Sequence, residues 1–554
     1  MNTSTKTVQY DAIVIGSGAT GGTAAKQLCE AGAKTLVLEA GRHFKGGSEY
    51  GTQATNMVRA LWDHFIENRQ PIQKLHGGYW EVNPSLFVDD VQNPYTTPPD
   101  KPYRWIRGRQ VGGRSLTWGG VTLRLSDHEF KGASRDGIGE DWPIGHDDLA
   151  PYYSMLENFF QVHGSREGLL QQPDGDFLPA CELSPGERVL KAAVETKFPG
   201  RRVLPSRGIR AARHPAKGDK YSKLSSPGTT LAAAQATGNL TLQSDAICRR
   251  LLVDPNTGRA TGVEYIDREL KQRHQVFGKT VFLCASTIES LRILMNSKSP
   301  THPDGIGASS GVLGRYLMDH IVGNIYFYMP EVAEDGRTWE LLGSDSIVIP
   351  RFVNLGDGGE AYARGFGMWG GVHRLPFPAM LKKKGDVAFG FLCAMGEAIP
   401  HADNTVRLDE KVVDDWGIPV PHISSAWTPN DLAVARAARN AAVEMIEAAG
   451  GVVAPLNELV RTPVIEKFMG EMQKEWVVTT PGLFVHEVGG ARMGATPKGS
   501  VVNPFCQVWD APNVFVTDGA CWVSSGWQNP TLTEMAITAR ACEFAVGELK
   551  RGNL

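Results

Sequence analysis

Residues 10–22 read YDAIVIGSGATGG, and this stretch decides the fold. The apolar, β-branched run over residues 10–15 predicts a buried strand, with glycines at 16, 18 and 21 directly behind it. The residues that follow, TAAKQLCEAG, carry apolar side chains at helical spacing and stop at Gly32. A second short strand over residues 34–38 delivers Glu39 about twenty residues past the first glycine, where a carboxylate can accept hydrogen bonds from ribose hydroxyls. Gly16 permits a tight turn, Gly18 lets backbone approach a pyrophosphate, and Gly21 lets the helix lie close on the strand. From Ala19 on, the start of that helix presents orphan N–H groups and a positive dipole end to phosphate. This is a βαβ dinucleotide unit. NAD and FAD share it, so residues 10–39 leave the choice between them open.

Composition narrows the class further. A chain of 554 residues exceeds the roughly 250–300 residues at which one core stops growing, so two intertwined domains are expected. The formal charge of -3 supplies no polycationic surface for nucleic acid. The eight cysteines contain no C-x-x-C pair and no metal-ligand spacing, which predicts neither a metal site nor an iron-sulfur cluster. The first nine residues, MNTSTKTVQ, hold no apolar leader and no twin arginine. No window reaches the roughly 18–20 apolar residues of a membrane span, and no direct membrane insertion is expected. The chain by itself reads as cytoplasmic, with periplasmic export open if a partner subunit carries the signal.

Outward from the opening unit, residues 104–125 (RWIRGRQVGGRSLTWGGVTLRL) are rich in glycine and arginine and suit a loop against a planar cofactor. Strands over residues 240–253 and 262–266, then the run at 281–285 with the helical IESLRILMN, read as a return to the nucleotide domain. Residues 173–227, rich in proline and charge, and the short alternating runs within 326–369 read as a second, largely antiparallel domain. Residues 430–449 predict its clearest amphipathic helix. The fold class is therefore α/β: a Rossmann-like dinucleotide-binding domain interleaved with a substrate domain on a largely antiparallel sheet with helices. The first takes residues 1–45, 100–150, 236–322 and 480–554; the second takes 46–99, 151–235 and 323–479.

Two clusters near the C-terminus, FVHEVGGARMG at 484–494 and TDGACWVSSGWQNPTLTEMAITARA at 517–541, mix apolar strand with glycine and polar residues as a cofactor cleft requires. Pro530 stands in the first turn of a helix, where its missing N–H costs nothing. Oxidation of an alcohol removes a proton from oxygen and a hydride from carbon, so the site needs a base near neutral pKa. His486 stands out among the 14 histidines because glycines at 489 and 490 let backbone approach a ligand.

Taken with GSGATGG and Glu39 and with GRQVGGRSLTWGG at 108–120, these clusters resemble the glucose-methanol-choline (GMC) flavoprotein oxidoreductases over nearly the whole chain. The resemblance implies FAD as cofactor, hydride passing to flavin N5, His486 as catalytic base and Asn529 as its partner on the substrate oxygen. It places Gly112, Gly113, Ser115 and Trp118 against the cofactor, Asp518 and Gly519 on its ribityl-phosphate chain, and the helix start at Pro530 and Thr531 beside the flavin ring. The histidine-asparagine pair and the tail GWQNPTLTEMAITARA are most similar to glucoside 3-dehydrogenases and pyranose oxidases, which implies oxidation of a sugar secondary alcohol at C3. Thr117, where some relatives carry a flavin-linked histidine, implies non-covalent FAD. Gln528, Glu397 and Trp369 are candidate substrate contacts, and His320 is expected to be structural. Electrons would leave to dioxygen, a quinone or a haem protein, with a small accessory subunit as a further partner. An oxygen-using pyranose or C-glycoside oxidase and a non-catalytic flavin-binding subunit are the alternative readings.

Overall fold

The computed structural model describes residues 9–44, 47–76, 79–333, 335–356, 359–375, 379–461 and 480–554. Residues 1–8, on which the reading of the leader rests, and 462–479, the close of the expected substrate domain, lie outside the described residues. The apolar run at the start forms the strand Gln9–Ile15, with Ala12, Ile13 and Val14 wholly buried. It pairs in parallel with Thr35–Leu38 on one side and Arg273–Leu283 on the other. Leu240–Gln243 and Ala511–Val516 extend the parallel sheet outward. Burial on both faces explains why these strands read as continuous apolar runs instead of alternating ones. Residues 240–253 form two strands, where one was expected. Asp245 sits at φ 55, in the left-handed region, and turns the chain between Leu240–Gln243 and Ala246–Val253. The second of these makes an antiparallel hairpin with Ala260–Asp267 that continues onto Arg273–Leu283.

A second sheet is antiparallel throughout, in the order Val452–Val453, Ile321–Ala333, Val387–Gly396, Phe366–Val372, Ile347–Ile349, Leu204–Pro205. The strand Ile321–Ala333 contains the domain boundary drawn at 322/323. Successive side chains on a strand point to opposite faces, and here the two faces have different tasks. Ile325, Phe327, Leu392, Ala394 and Met368 pack against Val434, Ala438, Ala442 and Met445 of the helix Pro429–Ala448. Their neighbours Asn324, Tyr326, Phe391, Cys393 and Trp369 face a cavity instead. Thr428 caps that helix by accepting from Asp431 N, and Pro429 fills its first position.

Candidate active site

A cavity of about 510 Å³ lies between the two sheets, within the size range of cofactor and small-molecule sites. Gly16, Gly18, Ala19 and Glu39 line it from the opening unit, Gly113, Ser115 and Trp118 from the glycine-arginine loop, and His486, Asp518, Asn529, Pro530 and Thr531 from the C-terminal clusters. The sequence motifs, hundreds of residues apart, thus converge on one space.

Steric detail explains the glycines. A Cβ on Gly16, which sits at φ 99, would lie 2.2 Å from Cys284 O, and one on Gly21 would lie 2.0 Å from Gly16 O. A Cβ on Gly18 would meet nothing nearer than Gly112 O at 3.9 Å and would point into open space. The first two glycines serve packing, and Gly18 leaves room for a ligand. Glu39 accepts from Ser17 Oγ at 2.6 Å, Ser17 N at 3.1 Å and Gly41 N at 2.8 Å, and burial pushes its carboxyl up. Ser17 Oγ in turn accepts from Gly112 N at 2.9 Å, which ties the opening unit to the glycine-arginine loop. Gly112, at φ 97, packs on Pro227, Ser115 Oγ donates to Gly112 O at 2.6 Å, and Trp118 Nε1 donates to Leu224 O at 2.9 Å.

His486 is the centre of the polar network. Its Nε2 lies 3.4 Å from Asn529 Nδ2, and its Nδ1 lies 2.9 Å from Nδ1 of His320. His320, expected to be structural, is therefore in direct contact with the proposed base. Its Nε2 meets Gly526 O at 2.6 Å. Asp319 Oδ1 accepts from the backbone N–H of both His320 (2.8 Å) and His486 (3.1 Å). Val485, immediately before His486, holds φ 63, a costly conformation for a β-branched residue. Arg114 holds it there by donating to Val485 O at 3.0 Å while pairing with Glu487 at 2.8 Å. Burial, followed by His320, Arg114 and His76, pushes the His486 imidazole well below its ordinary pKa. Burial likewise brings His320 down to about 4, and burial together with the Glu487 charge brings Asp319 up to about 7. Both histidines are therefore neutral at neutral pH. Asn529 Oδ1 is buried with no hydrogen-bond partner among the described residues.

Below this pair, Asp518 accepts from Ser290 Oγ and Ala520 N, and burial raises it to about 6. The 21-residue helix Thr531–Arg551 begins here, so its unbonded N–H groups and positive dipole end abut the cavity. Gly519 is fully enclosed, and a Cβ there would lie 2.5 Å from Thr287 Oγ1. Two of the candidate substrate contacts are placed elsewhere. Gln528 is buried with Nε2 donating to Glu129 Oε2 at 3.1 Å, and Glu397 is buried with Oε1 on Arg351 at 2.7 Å. Neither is among the cavity-lining residues; each is tied through one polar atom to a buried partner. Trp369 does line the cavity, edge-on to Phe391 with Nε1 on Ser346 Oγ. Sequence reasoning left Arg114 and His76 without roles. Arg114 stood inside the quoted 108–120 motif, and His76 had no motif to mark it.

The residues present suit FAD. A glycine edge faces open space, a helix start abuts the cavity, Glu39 lies where a ribose is expected, and a partnerless carboxamide oxygen waits beside the histidine. Among the described residues no three histidine, cysteine, aspartate or glutamate side chains gather as a metal site would require. No helix of the described residues is long and apolar enough to cross a membrane.

The chain is 26% identical over 97% of its length to 2-methyl-1,2-propanediol dehydrogenase of Mycolicibacterium austroafricanum, covering 95% of that protein. It is 25% identical over 99% of its length to the fructose dehydrogenase large subunit of Gluconobacter japonicus, covering 100% of it. The crystal structure of pyridoxine 4-oxidase from Mesorbium loti has a similar fold, with a TM-score of 0.60 at 20% identity over 96% of this chain and 98% of that one. GMC oxidoreductase family models match residues 10–322 and 400–538; the chain belongs to this family of FAD-dependent oxidoreductases, which act on CH–OH groups of sugars and alcohols.

Proposed function

We propose that the chain oxidises a secondary alcohol of a sugar, in a glycoside or pyranose and at C3, to a keto sugar. His486 takes the hydroxyl proton at Nε2, and the Asn529 carboxamide holds the oxygen that loses it. The observation that carries this reading is the pair itself: an imidazole Nε2 and an amide nitrogen 3.4 Å apart on one cavity. Only a neutral imidazole can accept a proton, and burial keeps His486 in that form. Bound FAD supplies the hydride acceptor. Gly16, Gly18, Ala19 and Glu39 would hold its nucleotide half, Gly113, Ser115, Trp118 and Asp518 its middle, and Pro530 and Thr531 the ring end, with Gly21, Gly112 and Gly519 packed behind them, without a covalent link, metal or iron-sulfur cluster.

The choice of C3 is supported by the likeness of residues 526–541 to glucoside 3-dehydrogenases, and Trp369 offers a face for a sugar ring. The division into two interleaved domains belongs to the same proposal. So does an external acceptor with an accessory subunit, which the large-subunit relative supports. The test is an anaerobic panel of glycosides, pyranoses and small diols, following bleaching of the flavin and mapping the new ketone. His486→Ala should bind FAD yet remain oxidised with every compound. Normal bleaching by that variant overturns the assignment of the base, and a product oxidised elsewhere than C3 overturns the regiochemistry. Peroxide release against dye reduction on the best compound separates an oxidase from a dehydrogenase.

A further inference from the structure

We infer that His320 is a positioning residue that fixes the tautomer of His486, leaving Nε2 of His486 bare toward Asn529 and the cavity. The inference rests on the reading of His486 as proton acceptor.

The direction of the hydrogen-bond chain leaves one solution. Gly526 O can only accept, so the 2.6 Å contact requires a proton on Nε2 of His320. A neutral imidazole carries one N–H and one lone pair, so Nδ1 of His320 is an acceptor. The Nδ1 of His486, 2.9 Å away, must then donate to it. The rings meet edge-on, with centroids 4.9 Å apart at 84°, which is the geometry of an N–H to nitrogen bond and not of stacking. His486 has spent its one proton on His320, and its Nε2 is left as a lone pair. This settles the Asn529 amide as well. A bare Nε2 needs a donor, so Asn529 turns its NH2 toward it at 3.4 Å, and Oδ1 is left without a partner among the described residues. The opposite tautomer would set two N–H groups, or two lone pairs, against each other at one of these contacts. Asp319 holds the two backbones in register by accepting from both N–H groups through one oxygen. The histidines are 166 residues apart in sequence, and the strand that begins at Ile321 follows His320 directly.

Two isosteric substitutions separate positioning from mere support. In His320→Asn, Oδ1 stands where Nδ1 stood and still accepts from His486, while the bond to Gly526 is lost. In His320→Gln, Nε2 stands where the ring Nε2 stood and still donates to Gly526, while the acceptor for His486 is lost. The FAD-bound protein is labelled with ¹⁵N-histidine, and the His486 signals are assigned by their absence in His486→Ala. The native protein should show Nδ1 protonated and Nε2 bare, and His320→Asn should keep that state. His320→Gln should lose it and slow anaerobic cofactor reduction by about 10²–10⁴-fold, the contribution of a positioned general base, with His320→Asn within about tenfold of native. A native His486 protonated on Nε2 overturns the inference whether or not the variants fold. So does equal slowing in both variants with the His486 tautomer unchanged, which would leave His320 a purely structural role. Normal reduction by His486→Ala, with the tautomers as expected, would overturn the base assignment instead, so the two failures are distinguishable.

Discussion

Alanine at two glycines of the opening unit should separate cofactor binding from folding. At Gly21 the new Cβ would lie 2.0 Å from the backbone oxygen of Gly16, a contact that Cβ atoms do not make below about 3.0 Å. The helix Ala19–Glu30 must therefore retreat by about 1 Å from a strand end whose neighbours are themselves buried. Overpacking of this kind costs about 1–3 kcal/mol, and a rigid carbonyl puts it near the upper figure. Alanine regains about 1 kcal/mol of helix propensity, so the net loss is about 2 kcal/mol. At an unfolding entropy of about 2.1 cal/mol/K per residue, that lowers the melting midpoint of a chain this long by about 2 °C. At Gly18 the backbone is extended at φ -68, and beyond its chain neighbours no atom of the described residues comes nearer to the new methyl than Gly112 O at 3.9 Å. Folding should change by about 1 kcal/mol or less, the cost of alanine at a helix N-cap. The methyl occupies the cavity, however, and a displacement worth about 2–3 kcal/mol weakens FAD by about 30–150-fold. Thermal melts and FAD titration by fluorescence quenching read the two effects. A Gly18→Ala protein that retains FAD as tightly as native, or a Gly21→Ala protein that loses only cofactor affinity, refutes the division of labour.

Precipitation in acid should release all the flavin into the supernatant, since Thr117 offers no ring nitrogen for a covalent link; yellow protein in the pellet would contradict this. Removing Arg351 as Met should cost about 3–5 kcal/mol, because Glu397 would be left buried without its partner, measured as a shift in urea midpoint. Trp369→Ala should raise KM for a glycoside more than it lowers kcat, since the ring forms wall and touches no reacting atom; steady-state kinetics distinguish the two. Asp319 has a folded pKa of about 7 against an ordinary 3.8, so the native state binds its proton more tightly than the unfolded chain. Stability from this group is full below about pH 4 and falls as pH rises through about 7. Asp319→Asn should flatten that slope in urea midpoints taken from pH 4 to pH 8, although losing an acceptor lowers the midpoint throughout.

What could be read from sequence was what local sterics and local periods encode. The strand, the three spaced glycines and Glu39 sit within 30 residues, so the spacing is visible at once, although Gly16 is crowded by the distant Cys284, Gly21 by Gly16, and Gly18 by nothing nearer than 3.9 Å. The motifs around Trp118, His486 and Asn529 were legible because each sets glycines close to polar and aromatic side chains within a short stretch. The wall opposite them was not. Val387–Gly396 is buried along nearly its whole length, so nothing in its pattern tells Phe391 and Cys393, facing the cavity, from Leu392 and Ala394, facing the helix. Gln528 and Glu397 lie outside the cavity lining on the same ground: polarity marks a side chain as needing a partner, and does not say whether that partner is a ligand, Glu129 or Arg351.

His320 shows the limit most clearly, and also why the missing part matters. Its role depends on a ring 166 residues away and on a carbonyl, at Gly526, that has no side chain to mark it. The motifs supply a base and an amide, and neither specifies where the protons lie. Burial, with Arg114 and the neighbouring imidazoles beside His486, keeps the two histidines neutral, and neutrality alone permits two tautomers of His486. A single backbone oxygen breaks that tie through His320, so the chemistry of the site is set by the packing of two segments that no motif connects.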